Sequence, residues 1–221
     1  DEPGVDESAH AAAVARQLGT THEEIRCPAG AALALVERLP DIYDEPFADP
    51  AQIPAVLVSE AVRRKAPVAL TGDGGDELFE GYQRHLDAKA WWRVAGALGH
   101  GGRYGVGAAL RGLSRILPAG HASRAGARLG GRLAGVDFDD YYRRVLQFPE
   151  SMEETVARMK GRWPHWPSPP RALRTPGERM RFIDQTLGLA EGIHTKVDRA
   201  SMSVGLEMRV PLLDPRIQAL S

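Results

Sequence analysis

Cysteine is nearly missing from this chain: Cys27 stands alone among 221 residues. A single thiol excludes an internal disulfide and any zinc site built from several cysteines, and it fits a reducing compartment. Net charge is nearly missing too, with 28 Lys and Arg against 29 Asp and Glu, so the chain as a whole is no polyelectrolyte. No apolar run approaches the ~20 residues that cross a bilayer. The polar, acidic opening DEPGVDESAH is the reverse of a secretory leader. The histidines lack metal-ligand spacing, and no Ser-His-Asp set can be assembled. What is left is ordinary core-forming composition, 43% hydrophobic and 26% charged. The expectation is a cytoplasmic globular protein with no membrane partner.

The first third alternates in type. VDESAHAAAVARQLGT predicts a helix closed by Gly19, and THEEIRC predicts a short strand. AGAALALVERLPDIYD predicts a second helix, ended by Pro40, and IPAVLVSEAVRRK a third, on the recurrence of Val56, Leu57, Ala61 and Val62. PVALTG then reads as a buried strand. This order is the rhythm of a parallel α/β sheet. After about residue 84 strand-like runs become scarce. RYGVGAALRGLSRILP and RAGARLGGRLAG read as Gly-interrupted helices, and DFDDYYRRVLQF, PESMEETVARMKGRW and GERMRFIDQTLGLAEGI continue a helical region around the proline-rich loop WPHWPSPPRALRTP. The expected fold is thus α/β with predominantly helical content, divided into an α/β part at 1–84 and a helical part at 85–221.

Two stretches carry chemistry. In LTGDGGDELFEGY a strand delivers the chain to the edge of a parallel sheet, where ligands of open α/β folds collect. Gly72, Gly74 and Gly75 let the backbone turn tightly. Asp76 or Glu77 then begins a helix whose free amides face the same crevice. Asp73 and Asp76 are hard oxygen ligands suited to magnesium carried by phosphates. A Gly-rich turn with an Asp cap reads equally well on spacing alone. In HTKVDRASMSVGLEMRVPLLD, Lys196 and Arg199 share one helical face, so they could neutralise a triphosphate, with Asp198 and Glu207 to orient them. A solvated helix followed by an extended segment is the plainer alternative. Glu45 and Asp49 lie in the loop DEPFADP, stiffened by Pro46 and Pro50, where capping is the simpler role. Residues 84–132 are strongly basic but lack aromatic interleaving, so a solvated helix face is favoured there over nucleic acid. Cys27 reads as structural.

Together and in this order, TGDGGDELFEGY, KVDRASMSVGLEMRVPLLD and DEPFADPAQIP resemble the synthetase domain of the glutamine-dependent asparagine synthetases. The similar family runs are an SGDGGDELFGGY-like turn, KVDRxSM followed by LExRVPLLD, and DEPFADxSQIP. The opening DESAHAAAVARQLGTTHEEI is also similar, whereas about 85–180 matches loosely. The resemblance implies an adenine-nucleotide alpha-hydrolase-like (PP-loop ATPase-like) core. It also implies an ATP-dependent ligase that adenylates a carboxylate, typically the aspartate side chain, and forms the amide with ammonia from a glutaminase domain of the same parent chain. It places Asp76 on a magnesium ion at the pyrophosphate and Asp73 near the acyl-adenylate, as base for the incoming amine. Arg199, supported by Lys196, would neutralise phosphate charge. Thr71, Gly72, Gly74, Gly75 and Tyr82 would line the nucleotide crevice. ATP and Mg2+ are the implied cofactors, and nucleic acid is not an implied partner.

The chain also departs from the family. The pyrophosphate loop SGGxDS is expected upstream of Asp1, because both ends read as cuts in a longer protein. Alone, the piece is expected to be inactive, and loss of a first strand should leave an edge that favours a homodimer. Glu80 replaces a family glycine, and Arg199 stands where some members have lysine, which leaves open an acceptor on a peptide or a cell-envelope precursor. A non-catalytic module binding an acidic partner through 84–132 is the reading from another class. It would show steep salt dependence and tolerate loss of Asp73 and Asp76.

Overall fold

The computed structural model describes residues 6–118, 120–133, 135, 137–146 and 166–220. In chain order the first elements are α1 (Ser8–Leu18), α2 (Ala29–Val36), α3 (Leu39–Tyr43), α4 (Gln52–Arg63) and β1 (Val68–Leu70). Then come α5 (Gly75–Phe79), α6 (Gln83–Ala97), α7 (Gly99–Ile116), α8 (His121–Leu133), α9 (Phe138–Leu146) and α10 (Pro176–Ile183). A π-helix (Asp184–His194), α11 (Thr195–Met202), β2 (Glu207–Arg209), a 3-10 turn (Pro211–Leu213) and α12 (Pro215–Gln218) complete the order. The chain forms two compact units, each discontinuous in sequence: Asp1–Leu70 with Thr195–Arg209, and Thr71–His194 with Val210–Ser221.

In the first unit α1 ends where the sequence predicts. Gly19 takes φ 65°, and its N–H and that of Thr20 return to the carbonyls of Arg16 and Ala15. The strand expected at THEEIRC does not form, since residues 21–28 carry no ladder among the described residues. Its acids turn outward instead, Glu24 to Arg26 and Glu23 to Lys65. The single helix expected to end at Pro40 is two helices. Pro40 sits in the first turn of α3, where its missing N–H has no intrahelical partner to lose. In α4, Val56 is fully buried and packs with Leu35 of α2 and Ala200 of α11.

β1 pairs in parallel with β2, with Val68 opposite Glu207 and Leu70 opposite Arg209. The strand is therefore where PVALTG predicts it, but it is not buried: Val68 is 37% and Leu70 71% exposed. Two described strands give a sheet with little cover on either face, so an apolar run can be a strand without being core. The fold observed is mostly helical, with this small parallel sheet.

The second unit is built around Ala88 of α6, Phe138, Tyr141 and Tyr142 of α9, and Met180 and Ile183 of α10. Trp92 meets Phe138 edge-on, with ring centroids 5.4 Å apart. α10 opens on a capping box in which Thr175 and Glu178 satisfy each other's backbone amides. The α-helix predicted to run on through DQTLGLAEGI is a π-helix from Asp184. The two Gly-interrupted helices form as α7 and α8 and approach closely: a Cβ on Gly130 would lie 2.7 Å from the Gly107 carbonyl oxygen. The helix expected at PESMEETVARMKGRW lies outside the described residues, and 166–170 carry no helix or strand, as the prolines predict. No helix among the described residues is long and apolar enough to cross a membrane.

Candidate functional site

The stretch after β1 is a turn in the second unit, and its geometry comes from its glycines and one hydroxyl. The Thr71 hydroxyl donates to Asp73 Oδ2 at 2.5 Å, so that half-buried carboxylate is held by its own loop. Gly74 takes φ 85°, and a Cβ there would lie 2.5 Å from Leu213 Cδ2, so only glycine fits. Beside Gly75, Leu212 leaves a Cβ position at 3.2 Å. Gly72 has open space around its missing Cβ. The helix that follows is only the five residues of α5, with Asp76 and Glu77 inside its first turn. This corrects the expected helix N-terminus: one short turn supplies little dipole, and the turn's chemistry rests on its side chains.

Asp76 is exposed, and its carboxylate lies over Gly81, where a Cβ would stand 1.9 Å from Oδ1. No ion pair among the described residues engages it. Glu77, one residue on, is buried and accepts a short hydrogen bond from the Tyr82 hydroxyl. Tyr82 thus turns its hydroxyl onto the loop's own glutamate. Burial first, and then that carboxylate, keep the Tyr82 phenol protonated well above its usual range. Glu80 occupies the left-handed end of α5 at φ 60° and is held by Lys89 and Arg181.

Behind the turn lies a buried network that the sequence reading missed. The Arg84 guanidinium stacks 3.6 Å over the Tyr82 ring and donates to Asp184 Oδ2 at 3.1 Å. That same oxygen accepts from the Tyr142 hydroxyl at 2.8 Å and from His85 Nε2 at 2.6 Å. Asp184 opens the π-helix, and the side-chain Nε2 of the next residue, Gln185, donates to the Glu77 carbonyl at 3.4 Å. Burial and the Asp184 charge push the Tyr142 phenol far up. Burial alone would lower Arg84, but Asp184 and Tyr142 outweigh it and raise its pKa. No local signal announces this cluster, because its members lie up to 100 positions apart.

In the first unit α11 carries Lys196 and Arg199, as the spacing predicts. Lys196 Nζ bonds Asp49 Oδ2 at 2.8 Å, and the Tyr43 hydroxyl donates to the Lys196 carbonyl at 3.2 Å. Burial, with Asp49 nearby, lifts the Tyr43 phenol up to about 12. Asp49 is therefore more than a loop cap: it fixes the lysine. Arg199 is half exposed, with Nη1 3.6 Å from Asp44 and Nε 4.0 Å from Asp198. Glu207, expected to orient the cations, pairs with Arg209 instead. Among the described residues no cluster of three His, Cys, Asp or Glu could hold a metal by itself. The donor set of the turn suits a magnesium ion that arrives with phosphate oxygens and needs one or two carboxylates.

The asparagine synthase family model matches residues 1–220. This chain belongs to the asparagine synthase family. A putative glutamine-hydrolysing asparagine synthetase of Mycobacterium tuberculosis is 29% identical over 227 residues, covering 100% of this chain and 34% of that protein. An asparagine synthetase of Bacillus subtilis is 27% identical over 181 residues, 78% of this chain and 27% of its own length. A putative one from Methanocaldococcus jannaschii reaches 49% identity over 53 residues, 24% of this chain and 10% of that protein. The chain thus spans about a third of the mycobacterial relative's length, 34%. No solved structure matches it.

For an asparagine synthase chain the position of Gly81 has a measurable consequence. A methyl at 81 collides with the Asp76 carboxylate, which is the free end of a short side chain and can rotate away. Gly81→Ala should therefore leave the fold nearly as stable, within about 1 kcal/mol. If Asp76 holds magnesium in the full-length parent, as the family resemblance implies, the change should raise the magnesium concentration for half-maximal activity about tenfold. A magnesium titration checks this, and an unchanged midpoint would mean that Asp76 does not meet the ion.

Proposed function

We propose that the parent protein is an ATP-dependent carbon–nitrogen ligase that adenylates the side-chain carboxylate of aspartate and converts it to the amide with ammonia. The core we propose is PP-loop ATPase-like. The observation that carries the reading is the Thr71–Tyr82 turn, where Asp73 is tethered by Thr71 and the Asp76 carboxylate is solvent-facing, in a chain of this family. Aspartate is the preferred acceptor because the relatives are named asparagine synthetases, and their glutamine-hydrolysing designation supports ammonia from a glutaminase domain on the parent chain.

When bound, magnesium would screen the charge of the phosphate oxygens during adenylyl transfer. Asp76 would hold that ion through its exposed carboxylate. Asp73 would take the proton of the attacking amine; the Thr71 hydroxyl fixes Oδ2, leaving the other oxygen to act. Thr71, Gly72, Gly74 and Gly75 would line the nucleotide, with Gly72 giving the closest backbone approach because nothing stands beside it. Tyr82 would act from behind the loop, through its bond to Glu77. Arg199 would neutralise phosphate charge, and Lys196 would support it from its bond to Asp49.

Exchange of labelled pyrophosphate into ATP by the full-length parent tests the reading. Exchange that requires aspartate is the expected result. Exchange driven only by a peptide or sugar carboxylate would reassign the acceptor, and none with any carboxylate would sink the adenylation itself.

A further inference from the structure

α5 closes on a residue whose backbone conformation suits a different side chain. Glu80 takes φ 60°, in the left-handed region where a Cβ crowds the following carbonyl oxygen and glycine is the usual occupant. This conformation folds the chain back on itself. The N–H groups of Glu80 and Gly81 both donate to the Asp76 carbonyl, the latter at 3.1 Å. Asp76 is thus gripped through its backbone while its carboxylate lies over Gly81. A residue in a sparsely populated backbone region persists only where its surroundings fix it. What fixes Glu80 is its own side chain.

The Glu80 carboxylate pairs with Lys89 of α6 through Oε2, and its Oε1 lies 3.6 Å from Arg181 Nη1 of α10. Only 16% of that side chain is exposed, so salt screens these pairs less than it would at the open surface. The contact needs a gap in α10. A Cβ on Gly177 would overlap Glu80 Oε1 and stand 3.3 Å from Lys89 Nζ, so the first turn of α10 carries no side chain where the carboxylate sits. Both cations stand beside buried residues: Lys89 follows Ala88, and Arg181 follows Met180, two members of the second unit's aromatic cluster. The end of the turn is therefore tied to well-packed positions on two helices. The departure that Glu80 makes from the similar family run lies in how the turn is held.

We propose that Glu80 is a positioning residue for Asp76. The clamp it forms with Lys89 and Arg181, in the space beside Gly177, fixes the closing half of the turn and through it the direction of the Asp76 carboxylate. This rests on the reading of Asp76 as the carboxylate that meets magnesium. A merely stabilising pair would behave differently. Glycine suits φ 60° better than glutamate does, so Glu80→Gly exchanges a lost ion pair for a relaxed backbone. The variant should melt close to the parent and yet lose the position of Asp76.

Glu80→Gly and Gly177→Ala in the full-length parent test the clamp, the second because its methyl displaces the carboxylate without touching the turn. With neither ATP nor magnesium present, the amides of residues 76–82 should take up deuterium about tenfold faster in both variants. The magnesium concentration for half-maximal ATP–pyrophosphate exchange should rise about tenfold, with the rate at saturating magnesium within about twofold of the parent's. Combined, the two changes should do no more than either alone, because they break one contact. Unchanged deuterium uptake overturns the proposal. In a parent that Asp76→Asn inactivates, faster uptake with an unmoved magnesium midpoint also overturns it, leaving the pair a stabilising contact only. If Asp76→Asn leaves pyrophosphate exchange intact, the metal reading fails instead, and deuterium uptake alone decides whether Glu80 holds the turn.

Discussion

Replacing Asp76 by asparagine in the full-length parent is expected to cut ATP–pyrophosphate exchange by about a thousandfold while leaving the protein folded. The fold should survive because the side chain is exposed and joins no ion pair among the described residues, so its charge contributes little to stability. The activity should not, because a neutral amide is a poor ligand for magnesium beside phosphates. Losing a preorganised electrostatic contact of this kind costs about two to three orders of magnitude. Asp73→Asn should differ in a diagnostic way. The Thr71 hydroxyl can still bond the amide oxygen, so the loop keeps its shape, but a base is gone. Exchange, which precedes the amine's arrival, should survive within about tenfold, and amide formation should fall by a hundredfold or more. If both variants lost exchange equally, Asp73 would belong with the metal and not with the proton. If neither lost it, the turn would be a capped loop and nothing more.

The second large effect is on stability. Asp184→Ala removes one oxygen that serves three donors: the Arg84 guanidinium, the Tyr142 hydroxyl and His85 Nε2. His85 is fully buried, and its Nδ1 already meets no partner, so the ring loses its one bond. Breaking a buried charged pair by deleting one side costs about 3–5 kcal/mol. Arg84 is a third exposed and recovers some water, which puts the expected loss near the lower end, about 3 kcal/mol. For a chain of this size that is roughly 6–12 °C in melting temperature. The exposed Glu207–Arg209 pair is the control, and Glu207→Ala should shift melting by no more than about 1 kcal/mol. A drop at Asp184 no larger than at Glu207 would show that the cluster is not stabilising. Because Arg84 also stacks on Tyr82, the Asp184 variant should loosen the loop that carries Asp76.

Features set by neighbours in sequence were legible. The closing turn of α1 follows from Gly19, and the shared face of Lys196 and Arg199 follows from their spacing. The family itself was legible in two long motifs. THEEIRC failed because alternation describes one strand and says nothing about a partner for it. Pro40 was misread because proline is as welcome at a helix start as it is disruptive inside one. The strand at Val68 was foreseen, but the burial expected of it is not found, since burial depends on layers that a local window does not contain. Asp49 could be placed in a loop, yet its bond to Lys196 joins residues 147 positions apart. A separation of 99 positions likewise hides Asp184 from His85. The basic character of 84–132 was plain, whereas the outward turn of Val106, Leu113 and Ile116 depended on which face the glycines gave to α8.

The discontinuity of the first unit bears on how the protein is made. Among the described residues Val68 finds its strand partner at Glu207, and Asp49 finds Lys196 across 147 positions. On a ribosome adding about 5–20 residues per second, the first seventy residues therefore wait roughly 10–30 s for the segment that completes them. During that interval Val56 lacks its Ala200 neighbour and β1 has an unpaired edge. The second unit, by contrast, has its aromatic-rich buried cluster within residues 88–183, and that cluster can close while translation continues. The second unit of the sequence should thus be the first to acquire a protected core. A chain ending at His194 and released from the ribosome should be cut by protease in α1–α4 and spared around α9 and α10.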